Sequence, residues 1–406
     1  MRNTAFCRMD RAAIAYEKGL WLLQAMRVCS LVGIGLTCLV VACGSDPDGG
    51  EGSAGGDGGS GATAGVAGAG GGAGTSGGAG GCVGDPAHDA RFPEPSAMDI
   101  QFSPRSPLPQ GESIVYNDWG TPNAVRAMRP DGSEPVLVFT ALRVWSMGVE
   151  SGGAHIAFSA TDPAQEANYG LTYLDSIQHT WLYDSATQQV RLVSHGNIND
   201  ECHHFGPDAS QLFVCRRFDF GYDGDQGHFK GWQLGRLDLE CGTYQALGAL
   251  QENVFELNPA PIPAAQGGDV SELLFSRITL TPPSTQTREI RRLDLSNGSS
   301  ESVLADADNP VVSPSGERFL YRARSTPRGL YARDVAGGTP TQITTEDVTS
   351  PVWSPDGTRV AYLVQDPSQC SHIEVRDADG TGDATRLLDC VDSGQFVTKL
   401  SWIQRP

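Results

Sequence analysis

The chain has 406 residues, 39% of them hydrophobic, and a formal net charge of −19. Such acidity argues against nucleic acid and anionic lipid head groups as partners. It fits a soluble chain and leaves cationic groups or Ca²⁺ as ligands.

Leu31 to Val41 is an apolar run too short to cross a bilayer, with Arg27 before it. It suits the apolar core of a signal peptide, so residues 1–42 are read as a leader, with Met26 as an alternative start. The run ends in Leu39-Val40-Val41-Ala42-Cys43. This resembles a bacterial lipobox, which implies lipidation of Cys43 and a membrane anchor. Gly44, in place of the Asp that favours inner-membrane retention, leans the expectation to the outer membrane. Residues 44–81 are 38 in number and half glycine, so together with Cys43 they read as a lipidated, disordered tether. Its reach is on the order of 35 Å.

Beyond Cys43 the chain carries 24 basic and 46 acidic residues, and six cysteines. An even cysteine count in an exported chain predicts disulfides. Cys202 and Cys215 flank a turn near Asp208-Ala209, and Cys370 and Cys390 flank Gly380, so each pair would face across a hairpin. Cys82 with Cys241 follows by elimination. His203 and His204 beside Cys202 give the first pair a rival reading as a metal site, but no C-x-x-C spacing supports zinc.

From residue 82 onward the chain reads as one all-β domain. Its clearest unit is SPVWSPDGTRVAYLV, Ser350 to Val364. Pro355-Asp356-Gly357 is tight-turn chemistry, because proline presets the first corner and glycine accepts positive φ. Val360 to Val364 is apolar on both strand faces, so the strand must be covered on both sides. Stacked four-stranded blades provide that cover. Weaker copies begin near Ile100-Gln101-Phe102-Ser103-Pro104, at Val144-Trp145-Ser146, at His204 to Asp208, at Val254 to Leu257 and at Pro310 to Gly316. Six copies predict a six-bladed β-propeller. A seventh first strand, Val397 to Ile403, fits ring closure against the first blade. A seven-bladed ring is the alternative, but Cys82 to Ala97 is short and Pro-rich for the outer strands it would need.

SPVWSPDGTRVAYLV, NPVVSPSGERFLYRA and the DADG turn at Asp377 to Gly380 are similar to the repeats of TolB-like β-propellers. The resemblance covers roughly Met98 to Pro406. It implies a bacterial-envelope propeller that serves as a protein-binding platform. TolB itself has an α/β domain where this chain has the lipobox and tether.

Candidate functional residues lie where the copies depart from the template. Connections between second and third strands are long at Thr161 to His179, Phe218 to Gly231 and Thr279 to Arg288, all on one face. The middle one mixes Phe218, Phe220, Tyr222, Phe229 and Trp232 with Asp219, Asp223, Asp225 and His228. Aromatic rings with acids suit a peptide, a sugar or a cationic group, and a self-packed loop is the plainer reading. Asp223 and Asp225 could hold Ca²⁺, although the full calcium-loop spacing is absent; no other cofactor is indicated. First strands start beside the central channel, which places Asp200, Glu201, His203 and His204 near its mouth, with Asp308 and Asp347. No nucleophile elbow is present. The expected role is a monomeric, non-enzymatic envelope lipoprotein that presents the propeller to an envelope protein or peptide. A metal-dependent polysaccharide lyase or lactonase-type propeller and a surface carbohydrate-binding module are the alternatives.

Overall fold

The computed structural model describes residues 96–406 except 119–122, 162–177, 195–198, 208, 219–230, 265–268, 282–284, 366–370 and 389–396. Residues 81–406 cluster as one compact unit. Its regular structure is all β: no helix is found among the described residues, and so none long and apolar enough to cross a membrane.

The strands form antiparallel groups that we number as blades. Blade one holds β1 (Ser103–Pro104), β2 (Gly111–Asp118), β3 (Asn123–Met128) and β4 (Val136–Ala141). Blade two holds β5 (Val144–Val149), β6 (His155–Thr161), β7 (Gln178–Asp184) and β8 (Gln189–Leu192). Blade three holds β9 (Asn199–Phe205), β10 (Gln211–Phe218), β11 (Gly231–Asp238) and β12 (Tyr244–Ala246). Blade four holds β13 (Val254–Ile262), β14 (Glu272–Thr281), β15 (Thr285–Asp294) and β16 (Ser300–Ala305). Blade five holds β17 (Ala307–Val312), β18 (Arg318–Ala323), β19 (Gly329–Asp334) and β20 (Thr341–Thr344). Blade six holds β21 (Val348–Trp353), β22 (Arg359–Gln365), β23 (Ser371–Asp377) and β24 (Thr385–Leu388).

The last strand, β25 (Val397–Arg405), returns to blade one and pairs antiparallel with β2, Ile114 opposite Trp402. The inner strands then neighbour one another in the cyclic order β5, β9, β13, β17, β21, β25 and back to β5. Closing the ring with the C-terminal strand removes an open sheet edge.

That closure corrects the reading of Ile100 to Pro104 as an inner strand. Ser103 pairs with Thr140 and Pro104 with Phe139, so β1 lies on the outer edge of blade one, beside β4. An edge is where proline's missing N–H costs least. Phe102 instead packs 5.4 Å from Phe139 and 6.0 Å from Tyr183, and Ile100 is buried in the same core.

Apolar side chains gather in clusters at the seams between adjacent blades. Phe139 meets Phe158 and Tyr183 between blades one and two, and Leu212 meets Leu182 between two and three. Along β22, Val360 and Tyr362 join the core shared with blade five, while Ala361 and Leu363 join the one shared with blade one. Alternation with a period of two sends successive side chains to opposite seams, so the strand is apolar throughout. Fully burying a side chain such as Leu363 is worth roughly 2–3 kcal/mol.

Each inner strand also carries a bulge, one extra residue, at a common height. The extra pairs are Trp145-Ser146, Cys202-His203, Asn258-Pro259, Asn309-Pro310, Ser350-Pro351 and Thr398-Lys399. Cys202, Asn258, Asn309 and Ser350 have φ between 48 and 58°. Proline follows three of them, at a place where the ladder needs no donor. Bulge residues also link blades: Asn258 donates to Asn309 at 2.6 Å, and Ser350 Oγ accepts from Leu400 N at 2.8 Å.

Candidate functional site at the channel mouth

Inner strands begin, and second strands end, on one face of the ring. In blade three this brings Asp200 opposite Arg216 and Glu201 opposite Cys215. Arg216 grips Asp200 through Nε at 2.8 Å and through its second nitrogen at 3.0 Å, with both side chains buried. The same guanidinium lies 3.7 Å over the Tyr244 ring. Asp200 is therefore a locked counter-ion.

His203 is also engaged. Its Nε2 pairs with Thr180 Oγ1 at 3.0 Å and its Nδ1 with Ser146 Oγ at 3.2 Å. Burial, then the charge of Lys399, pushes its pKa down to about 3, so the ring is neutral, with one nitrogen donating and the other accepting. The same two causes take His204 down to about 4. Blade two approaches closely here: a Cβ on Gly148 would stand 2.4 Å from His203 O.

Glu201 is buried to within a tenth of its surface, and desolvation raises its pKa to about 7 against the opposing charges of Arg217 and Lys399. Lys399, from the closing strand, is only half-buried by accessible surface, yet desolvation depresses its pKa and Glu201 raises it. Glu201 and Lys399 thus act on one another's charge between blade three and the closing strand. Sequence reading missed Lys399, although it placed the strand that carries it.

Blades four and five extend the polar lining. Arg277 reaches Glu256 at 2.6 Å, directly across the ladder. Asp308 Oδ2 accepts from Arg288 at 2.7 Å and from Arg324 at 2.6 Å. Arg322, opposite Asp308, has Asp347 Oδ1 3.1 Å from its Nε. The sequence signal for Arg216, Arg277 and Arg322 is their recurrence near the ends of β10, β14 and β18.

The expected disulfide between Cys202 and Cys215 is present and ties the bulge of β9 to β10. Cys241 is disulfide-bonded as well, to a cysteine outside the described residues. Cys82, Cys370, Cys390 and the lipobox Cys43 lie outside them too. So do Asp219, Phe220, Tyr222, Asp223, Asp225, His228 and Phe229, the centre of the aromatic and acidic connection. Its flanks are described: Phe218 ends β10 and Trp232 lies in β11, where it is half-buried against the core of blades three and four. The third expected long connection, Thr279 to Arg288, is mostly strand, because β14 and β15 stay paired out to Thr281 opposite Thr285. Among the described residues no three His, Cys, Asp or Glu side chains converge as metal ligands would.

The ring of antiparallel blades closed by its last strand is a β-propeller, and its fold is similar to that of TolB. Among solved structures, TolB from Acinetobacter baumannii matches with a TM-score of 0.54 at 15% identity, over 73% of this chain and 67% of that one. A putative TolB from Agrobacterium tumefaciens matches with a TM-score of 0.49 at 15% identity, over 72% of this chain and 99% of that one. An oligogalacturonate lyase in complex with manganese matches with a TM-score of 0.40 at 14% identity, over 69% and 74%. No family model and no curated relative matches the chain.

Proposed function

We propose that this chain is a non-enzymatic, monomeric lipoprotein of the bacterial cell envelope. It is anchored through Cys43, in the outer membrane, and presents its propeller mouth to a protein or peptide. The observation that carries the reading is the state of the mouth groups. Asp200 is held by Arg216 and both ring nitrogens of His203 are hydrogen-bonded, so these two groups are committed to structure rather than to proton transfer. The likeness to TolB is a likeness of fold and supports the platform alone.

Two experiments test the reading. Capture from envelope extract should retain a defined partner with the intact chain and lose it when Phe218 to Gly231 is shortened. Unchanged capture would remove that connection from the binding face. Cys43→Ala should move the chain from the membrane fraction to the soluble one, and continued membrane association would defeat the lipid anchor.

A further inference from the structure

Basic residues in this chain are almost all arginine. Only three of the 29 are lysines, Lys18, Lys230 and Lys399, and Lys399 alone lies among the described residues. The described ion pairs of blades three to five use arginine: Arg216 with Asp200, Arg277 with Glu256, Arg288 and Arg324 with Asp308. A guanidinium is always charged, whereas an amine can give up its proton and become a nucleophile. One amine among so many guanidiniums marks a place where that difference counts.

Geometry sets Lys399 apart as well. It is half of the bulge Thr398-Lys399, and its backbone N–H donates to Asn117 Oδ1 at 2.8 Å, which fixes the root of the side chain. In the ring, β5 stands between β25 and β9. The Lys399 charge nevertheless acts on Glu201, His203 and His204 of β9, so the amine lies within electrostatic range of blade three. Among the described residues, the Lys399 amine, the Glu201 carboxylate and the His204 ring make no hydrogen bond and no ion pair. None of their polar atoms is among the fully buried ones, and Lys399 and His204 are half-buried as residues. A cation kept for structure is paired, as the arginines are. This one stands near an acid, unpaired and within reach of solvent. Desolvation lowers its proton affinity, which favours the neutral amine. Glu201, with its pKa raised to about 7, carries a proton part of the time at neutral pH.

We propose that Lys399 is a reactive amine that captures aldehydes as an imine, with Glu201 as its proton donor. The nitrogen adds to the carbonyl carbon, forming the C–N bond, and one of its protons passes to the carbonyl oxygen. The C–O bond then breaks as Glu201 protonates the hydroxyl, water leaves, and the proton remaining on nitrogen returns to Glu201. The step is reversible and needs no oxidant, reductant or turnover. It adds a ligand class to the mouth without making the chain an enzyme.

The test uses the full exported chain carrying Cys43→Ala. Propionaldehyde with cyanoborohydride traps the imine, N-acetoxysuccinimide reads the free amine, and peptide mass spectrometry follows each lysine. In the folded chain Lys399 should trap propionaldehyde about tenfold or more faster than Lys230, and in urea the two should react alike. Equal or slower trapping at Lys399 in the folded chain overturns the reactive amine. A difference that persists in urea assigns the rate to local sequence and overturns the site as well. Acylation needs only the free amine, whereas imine formation also needs a proton. Glu201→Gln should therefore lower the ratio of trapping to acylation at Lys399 about tenfold or more, with the melting temperature showing the fold intact. An unchanged ratio overturns the role of Glu201.

Discussion

The ring has two dissimilar halves at its mouth. Within two rungs of the bulge, blades three, four and five place an acid opposite an arginine: Asp200 with Arg216, Glu256 with Arg277, Asp308 with Arg322. At the corresponding rungs blade six has Val348 with Val364 and Thr349 with Leu363, and blade two has Val144 with Ala160. Blade one sets Asp118 opposite Val397, with Arg126 3.1 Å from Asp118 as its counter-ion. The backbone is alike throughout, bulges included, so the difference lies in side chains. Blades two and six show what a blade needs. The charged half carries more than that, and desolvating ions is a cost a merely structural ring need not bear.

The largest expected effect comes from breaking the charged half at the buried acid that two arginines share. Asp308→Asn removes the carboxylate charge that Arg288 and Arg324 share and that faces Arg322 across the ladder. Uncompensated buried charge costs about 3–5 kcal/mol. The control is Glu112→Gln, which breaks a pair with Arg359 that is about one-third exposed on both sides. Exposed pairs of this kind are worth about 0–1 kcal/mol. Urea midpoints measure both, and similar losses would show that the two classes of pair are equivalent.

The disulfide comes next. Cys202 and Cys215 close a loop of sequence separation 13 in the charged half. Replacing both with Ala should cost about 3 kcal/mol through the unfolded chain. Dithiothreitol should cost the native chain about 3 kcal/mol more than it costs the variant, since both also lose the bond of Cys241. A loss above this would assign the bond a further part in holding the polar lining.

How far this was legible beforehand differs between the same two halves. Strands Arg318–Ala323, Gly329–Asp334 and Thr385–Leu388 follow directly from turn residues and apolar pattern. The Cys202–Cys215 pairing follows from spacing about a turn. Ile100 to Pro104 misleads because its Phe-Ser-Pro imitates the Trp-Ser-Pro of an inner strand, and only pairing decides which edge it joins. Asp200, Glu201, His203 and His204 could be placed at the mouth because they share one strand. The arginines could not, since Arg288, Arg322 and Arg324 come from blades four and five and meet only when the seam forms. Asn258-Pro259, Asn309-Pro310 and Ser350-Pro351 mark the bulges, a signal visible only once the copies are aligned on their inner strands.

The smallest effect is also the most specific, because it has a sign that depends on pH. Glu201 has its pKa raised to about 7 from an ordinary 4.5, chiefly by desolvation. A carboxylate raised in this way binds its proton more tightly folded than unfolded. It contributes least penalty below about pH 4.5, and stability falls as pH climbs toward 7, then levels off. His203 and His204, lowered to about 3 and about 4, act in the opposite sense, since the unfolded chain takes up their protons first as pH falls below 6.5. Two such histidines against one such carboxylate predict greatest stability near neutrality. Glu201→Gln should therefore raise the melting temperature at pH 8, by the equivalent of about 1–3 kcal/mol, and leave it nearly unchanged at pH 4.5. Lys399 tempers the gain, because the variant removes its opposite charge. A variant less stable at pH 8 than the native chain would mean that the attraction to Lys399 and Arg217 outweighs desolvation, and that the charged half is held together by its ions rather than in spite of them.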